Sequence, residues 1–384
     1  MTPRRLLFWI HLVAGSVAGL VILLMSVTGV LLAYERQINN WSIRDYHSTP
    51  AAPGQARLPM DSLLATVQTG QPTAITVRSD PSAPVQFSYG RDRVLLINAY
   101  SGAVLGEASP RLHAFFGKVE DLHRFLGTSA EKRPVGRAIT GACNLMFLLL
   151  VCSGPIIWWP KAWTWTNLSK IVAFRSGLSR RARDWNWHNV IGIWCFTPLL
   201  LVVLTGVVMS YPWANNLLYR MTGNEPPPPQ NQHAGPRPGG EGNRHKHDDN
   251  DSVVKASLES AFARAEQQVP GWQSVSLRLP ATPLVFSIDS GNGGRPDKRA
   301  QLTLDPRTGA VVKWEPFSSY NLGRRLRTWG RFTHTGEAGG IFGQTIAATA
   351  SAGAAVLVWT GLALALRRLN AWRKRLRPQV LERV

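Results

Sequence analysis

Four long apolar stretches limit what this chain can fold into more than any other feature of its sequence. They run over about 6–34, 138–159, 187–211 and 341–366, and none of them contains an Asp, Glu, Lys or Arg. About 20 consecutive apolar residues suffice to cross a bilayer, so the sequence predicts a membrane protein with four transmembrane α-helices. The first stretch is about twice as long as the apolar core of a signal peptide, and we interpret it as an uncleaved helix.

The basic residues indicate which way these helices cross the membrane. The net charge is +20, and Lys and Arg are concentrated before the first helix, in the loop at 161–186 and in the tail at 367–384. With four crossings these three places share one side, which the positive-inside rule makes cytoplasmic. We therefore expect a multi-pass protein with both termini cytoplasmic, and we attribute the charge to topology rather than to nucleic-acid binding.

The two halves of the sequence follow the same plan. Each predicted span contains a serine or threonine followed by glycine, and the four pairs are Thr28-Gly29, Ser153-Gly154, Thr205-Gly206 and Thr360-Gly361. Small residues let membrane helices approach closely, and hydroxyls bond across helices or back to the backbone. The pattern predicts two parallel repeats, each made of a helix, an exterior module and a second helix.

Each long segment between spans is predicted to form a small α+β module. The runs "VLLINAYSGAVLGEA" and "AQLTLDPRTGAVVKWEP" are typical of a strand, a turn and a strand. Each run follows a predicted helix, at about 59–69 and 252–268. Residues 225–251 are rich in proline, glycine and charge, which predicts a disordered insertion whose histidines are solvated rather than metal-binding.

The predicted organisation places the exterior modules in the periplasm. In chain order it comprises transmembrane helix 1 at 1–35, a periplasmic module with a helix carrying His113 and His123 at 36–137, transmembrane helix 2 at 138–160, a basic cytoplasmic loop at 161–186, transmembrane helix 3 at 187–211, a second periplasmic module at 212–340, transmembrane helix 4 at 341–366 and a basic cytoplasmic tail at 367–384.

Five histidines near the ends of the spans are the candidate functional residues: His11, His113, His123, His188 and His334. The predicted topology places His11 and His188 near the cytoplasmic face of the membrane and the other three histidines near the exterior face. Residues i and i+4 share a helix face, and four of the five histidines have glycine at that offset, namely Gly15, Gly117, Gly127 and Gly192. Such an imidazole beside a flat gap suits a porphyrin, whose iron histidine commonly ligates. Hydrogen-bonded structural histidines and a proton pathway are the alternatives.

The same motifs carry a family resemblance. The segments "WIHLVAGSVAGLVILLMSVTGVLLAY", "LHRFLG", "WHNVIGIW" and "HTGEAGGIFGQ" resemble the PepSY-associated transmembrane helix family over nearly the whole chain. The exterior segments resemble PepSY-type domains. This resemblance implies a siderophore reductase of the Gram-negative inner membrane that carries two b-type haems.

The resemblance also implies which residues bind the cofactor. His11 and His188 map onto the ligands of a haem near the cytoplasmic face, and His123 and His334 map onto those of a haem near the periplasmic face. His113 is the alternative to His123. The glycines expected to pack against haem are Gly15, Gly127 and Gly192.

We therefore predict a membrane-bound, haem-dependent oxidoreductase that passes electrons to a ferric siderophore outside. The sequence has no GxGxxG fingerprint for a nicotinamide or flavin, so the electron donor is expected to be a quinol or a cytoplasmic reductase. One alternative is a haem-free PepSY-type regulator or sensor. A siderophore or cation permease is a weaker alternative, because permeases have broken helices and polar groups at the midplane, and few polar residues occupy these spans.

Overall fold

The structure is a computed structural model. It describes residues 2–67, 70–90, 93–160, 162–227, 257–280 and 283–381, with side chains to residue 375. Most of the insertion predicted at 225–251, including its histidines, lies outside the described residues.

Within these residues the chain forms eleven α-helices and eight β-strands. The helices are α1 Pro3–Leu32, α2 Glu35–Ser42, α3 Met60–Ala65, α4 Pro110–Phe125, α5 Arg133–Trp158, α6 Trp165–Val172, α7 Arg180–Ser210, α8 Pro212–Met221, α9 Leu258–Gln268, α10 Leu322–His334 and α11 Gly340–Leu381. The strands are β1 Ala74–Arg78, β2 Val85–Tyr89, β3 Arg93–Ile97, β4 Val104–Glu107, β5 Ser274–Arg278, β6 Leu284–Asp289, β7 Arg299–Leu304 and β8 Val311–Pro316.

The chain divides into two compact units. A helical unit comprises Met1–Trp41, Arg111–Ala214 and Arg327–Val384, and a sheet unit comprises Ser42–Pro110 and Asn215–Leu326.

The helical unit contains four helices long and apolar enough to cross a membrane, as expected. Helix α1 packs against α5 and α11, and α7 packs against the same two, so α1 and α7 lie across a four-helix bundle from each other. Small side chains such as Ala18 and Ala354 are fully buried where the helices meet. Close helix contact of this kind is the main source of association in a bilayer.

Three predicted boundaries differ from the structure. Helix α7 begins at Arg180 rather than near residue 187, because Ser179 caps it by accepting from the Ala182 backbone N–H. The loop predicted at 161–186 is correspondingly shorter and contains the unpredicted helix α6, which Thr164 caps. Helix α11 continues through most of the basic tail to Leu381, since Arg, Lys and Leu are good helix formers.

The sheet unit differs from the expectation of two separate modules. Its eight strands form one antiparallel sheet in the order β4-β3-β2-β1-β5-β6-β7-β8. Strand β1 pairs with β5 over its whole length, and the Thr76 and Ser276 hydroxyls bond across this pair at 2.8 Å. The predicted modules are therefore the two halves of a continuous sheet.

One face of the sheet carries the hydrophobic core. Side chains alternate across a strand, so Ile75 and Val77 of β1 and Val275 and Leu277 of β5 are buried while their neighbours are not. Helices α3 and α9, both predicted, cover this core.

The predicted strand–turn–strand segments are confirmed as β3–β4 and β7–β8. Gly102 and Gly309 have φ of 72° and 67° at the two turns, a conformation that glycine adopts without a steric penalty.

Candidate functional site

All five candidate histidines lie in the helical unit, and His113 shares α4 with His123. His11 belongs to the first half of α1 and His188 to the first half of α7. His123 lies at the end of α4, and His334 is the last residue of α10. Each of these two short helices precedes a spanning helix, so a sharp corner follows each histidine.

The corner after His123 depends on backbone conformation. Leu126 and Gly127 have φ of 56° and 67°, and two successive left-handed residues turn the chain from α4 towards α5. Thr140 of α5 donates its hydroxyl to the Arg124 carbonyl at 3.0 Å. A β-carbon on Gly136 would overlap the Phe125 carbonyl oxygen, so the first turn of α5 packs directly on the end of α4.

The corner after His334 is built in a similar way. Gly336 has a φ of 75°, and a β-carbon there would lie 2.6 Å from the Gly343 carbonyl oxygen. The backbone between α10 and α11 therefore runs against the first turn of α11, and it requires glycine at this position.

The four histidines form two ring pairs. The His11 and His188 ring centroids are 6.5 Å apart with planes at 78°, and those of His123 and His334 are 6.4 Å apart at 68°. These are the pairs that the family resemblance implies. His113 is half-buried on α4, and within the described chain its ring contacts no other histidine.

Each of the four rings is bonded through Nδ1 to one of the recurring hydroxyls. The four Nδ1–oxygen distances are 2.7 Å for His11 and Ser153, 3.0 Å for His188 and Thr360, 2.9 Å for His123 and Thr28, and 3.4 Å for His334 and Thr205. The Nδ1 of His334 also lies 2.8 Å from the Val202 carbonyl oxygen. One nitrogen per ring, Nε2, remains for another partner.

The glycines expected to pack against haem occupy two different environments. Gly15 and Gly192 lie one turn after His11 and His188 on the same helices, and a β-carbon on either would meet only a leucine at 3.7 Å. Gly127 instead lies beyond the end of α4 with positive φ. The rationale of one shared helix face is therefore wrong for Gly127, whose backbone conformation alone accounts for glycine.

Sequence reasoning missed the glycines that approach the rings. A β-carbon on Gly29 would lie 3.5 Å from His123 Cε1, one on Gly206 would lie 3.3 Å from His334 Cε1, and one on Gly361 would lie 3.3 Å from His188 Cε1. The signal is present in the repeated Ser/Thr-Gly pairs, which the sequence alone indicates only as sites of close helix packing and of hydroxyl bonds across helices or to the backbone.

The donor set around the ring pairs is limited to imidazole. Among the residues that the structure describes, no three or more His, Cys, Asp or Glu side chains form a cluster able to hold a metal ion. A metal between the rings of a pair would need its other ligands from a separate molecule.

A groove of about 320 Å³ borders Thr360 and is lined further by Arg183, Asp184, Trp187 and Trp359.

The four apolar helices and the sheet unit define the class of protein. The chain matches the PepSY-associated TM region over residues 8–368 and therefore belongs to this membrane-protein family. No curated protein matches the chain.

Proposed function

We propose that this protein is a di-haem b electron conduit of the bacterial inner membrane that reduces ferric siderophore on the periplasmic side. His11 and His188 would hold the haem near the cytoplasmic face, and His123 and His334 the haem near the periplasmic face. The observation that supports this proposal is the presence of two pairs of neighbouring imidazole rings in the bundle, each in an edge-to-face arrangement.

The ring separations suit one metal ion per pair. A bond from an imidazole nitrogen to a transition metal is about 2 Å long, so two nitrogens bound to one ion would be at most about 4 Å apart. Adding about 1 Å from each nitrogen to its ring centroid brings the centroids to about 6 Å, close to the distances in both pairs. With a hydroxyl on each Nδ1, the Nε2 atoms are the nitrogens available for such an ion.

Haem fits this donor set better than zinc does. A structural zinc site uses four protein ligands and a catalytic one three, whereas each pair here offers two imidazoles. Haem brings its own four nitrogens and, if held by the two histidines of a pair, would supply one-electron transfer. The protein contributes the ligands, their spacing and an apolar surround that tunes the potential.

The two ring pairs are set at two depths of the bundle. Thr28 follows His11 by 17 residues on α1, and Thr205 follows His188 by 17 residues on α7. At 1.5 Å per residue this is about 25 Å along each helix, which compares with a hydrocarbon core of about 30 Å. Because Thr28 and Thr205 bond to His123 and His334, the second pair lies near the opposite end of the spans from the first.

The direction of electron flow follows from the topology. Basic residues before α1, between α5 and α7 and along the end of α11 support a cytoplasmic location of both termini under the positive-inside rule. A quinol or a cytoplasmic reductase would donate, and one electron would convert each chelated Fe(III) to Fe(II). Hard oxygen ligands hold Fe(II) less tightly, so reduction would release the iron.

The first test is a reduced-minus-oxidised absorption spectrum of the detergent-purified protein, with haem quantified per chain. We expect a b-type spectrum and about two haems, one for each histidine pair, and reoxidation of the reduced protein by a ferric siderophore. Absence of haem after expression with adequate haem supply would overturn the proposal. The regulator or sensor interpretation would then take its place.

A further inference from the structure

On the basis of the haem ligation proposed above, we propose that the hydroxyls of Thr28, Ser153 and Thr360 are positioning groups that hold His123, His11 and His188 in the Nδ1–H tautomer. For His334 the Val202 carbonyl does so, with the Thr205 hydroxyl as a secondary partner. Each ring then presents the bare lone pair of Nε2 to the iron. The same residues thereby fix the rotation of the ring about its side chain.

The tautomer follows from counting hydrogens. A hydroxyl has one hydrogen to donate. Thr28 Oγ1 lies 2.7 Å from the Leu24 carbonyl oxygen, and Thr360 Oγ1 lies 2.8 Å from that of Val356. Threonine in a helix commonly donates to the carbonyl four residues earlier in this way. Each hydroxyl can then only accept from the imidazole, so Nδ1 must carry the proton.

His334 gives the same answer by an independent route. Its Nδ1 lies 2.8 Å from the Val202 carbonyl oxygen, and a carbonyl can only accept a hydrogen bond. Nδ1 of His334 is therefore the protonated nitrogen whatever Thr205 does. The Thr205 hydroxyl, at 3.4 Å, is a secondary partner of this ring.

Ser153 is the least constrained of the four hydroxyls. It lies close to His11 at 2.7 Å, but its own bond to the Leu150 carbonyl is longer, at 3.2 Å. The four hydroxyls thus differ in how strongly each one determines the tautomer of its histidine. Loss of the hydroxyl should matter most at Thr28 and Thr360 and least at Thr205, where the carbonyl remains.

The glycine after three of the hydroxyls completes the arrangement. At Gly29, Gly206 and Gly361 an added β-carbon would lie within 3.5 Å of a ring carbon, so the missing side chain is what lets the imidazole sit close to the helix. At Gly154 an added β-carbon would meet no atom within 4 Å. The Ser/Thr-Gly pair therefore supplies a hydroxyl partner and space for the imidazole ring at three sites, and a hydroxyl partner alone at Ser153.

Hydrogen bonding to the second nitrogen affects the iron in a predictable direction. A partner that accepts from Nδ1–H orients the ring and raises the basicity of Nε2, and loss of such partners typically lowers metal affinity about 10- to 100-fold. A more basic ligand stabilises Fe(III) relative to Fe(II). Removing the hydroxyl should therefore weaken haem retention and raise the midpoint potential of the haem concerned.

The test uses the full-length haem-loaded protein with Thr360→Val, which keeps the side-chain shape and removes the hydroxyl. Thr360→Ser should restore the behaviour of the parent protein, and Thr349→Val, at an exposed position on the same helix, is the control. We expect Thr360→Val to lose one haem about 10- to 100-fold more readily and to raise the midpoint potential of that haem alone. Thr205→Val should have a clearly smaller effect on the other haem.

Two outcomes separate this inference from the proposed function. If the parent protein holds two haems but Thr360→Val and Thr28→Val leave retention and potential unchanged, the positioning role is wrong and the conduit stands. If the parent holds no haem, the conduit is wrong. The tautomers then remain measurable by ¹⁵N NMR of histidine-labelled protein, in which a protonated Nε2 on His123 and His188 would overturn the inference.

Discussion

His11 and His188 stand at the same place in two helices, and each has its hydroxyl partner on the spanning helix that follows in the chain. Ser153 of α5 serves His11, and Thr360 of α11 serves His188. His123 and His334 use the preceding spanning helix instead, through Thr28 and Thr205. The four bonds thus occupy equivalent positions in both halves of the sequence.

At the residue scale, the proposed ligand assignment predicts that each histidine-to-alanine substitution lowers the number of haems bound per chain by one. If the proposed ligation is right, replacing His11 or His188 with alanine should reduce the haem content from about two to about one per chain and leave the periplasmic haem, because loss of one of two protein ligands weakens retention of the haem that they share. Replacing His123 or His334 should remove the other haem. Absorption spectra with haem quantification measure both.

His113→Ala is the matched control for these measurements of haem content, since His113 is on the same helix as His123 but away from the His123–His334 ring pair. It should retain both haems. Retention of both haems in all four alanine variants would refute the assignment.

At the scale of elements, two short helices determine where the second ring pair lies. Helices α4 and α10 end in corners where Gly127 and Gly336 have positive φ, a conformation that glycine adopts without a steric penalty. The corner after α4 also needs Gly136, against which the Phe125 carbonyl rests directly. The His123 ring therefore depends on backbone contacts at α5 as well as on its own partner Thr28.

Gly136→Ala should consequently disturb the end of α4. Overpacking of this kind costs about 1–3 kcal/mol, so we expect a lower thermal midpoint together with loss of the haem that His123 is proposed to bind. Gly154→Ala on the same helix meets no neighbouring atom and should be neutral or stabilising by up to about 1 kcal/mol. Equal thermal midpoints and haem contents for the two variants would contradict this account of the corner.

The sequence predicts an element well when residues close together in the chain determine that element. The absence of charge over 20 or more residues is enough to define a span, and Gly102 and Gly309 are enough to define two turns. The meeting of His11 with Ser153 is different, because it depends on how α1 and α5 are rotated against each other when they pack. No periodic pattern in the sequence specifies that rotation. The sequence therefore shows the recurring hydroxyls but does not predict which histidine each of them bonds.

For the whole molecule, the least predictable feature was the single sheet. Ala74 of β1 pairs with Arg278 of β5, some 200 residues away, and strand alternation alone does not reveal pairing over such a distance. Each half of the sheet taken alone would have exposed the backbone groups of β1 or β5. Their pairing removes both edges, which are sites of aggregation in isolated sheets.

The topology is also a property of the whole molecule. A phosphatase that is active only in the periplasm should be active when fused after Asn224, beyond the third span, and inactive when fused to the C-terminus. A fluorescent protein that folds only in the cytoplasm should give the reverse pattern. Phosphatase activity at the C-terminus would overturn the orientation and, with it, the assignment of each haem to a membrane face.

The histidine–hydroxyl bonds and the histidine ring pairs connect different parts of the chain. Every histidine–hydroxyl bond closes within one half of the chain, whereas both ring pairs, like the β1–β5 pairing, join one half to the other. A polypeptide cut in the loop before α7 would keep all four of its hydroxyl bonds. Neither fragment would hold both rings of a histidine pair or the whole eight-stranded sheet, so the two pieces would be complementary fragments rather than independent proteins.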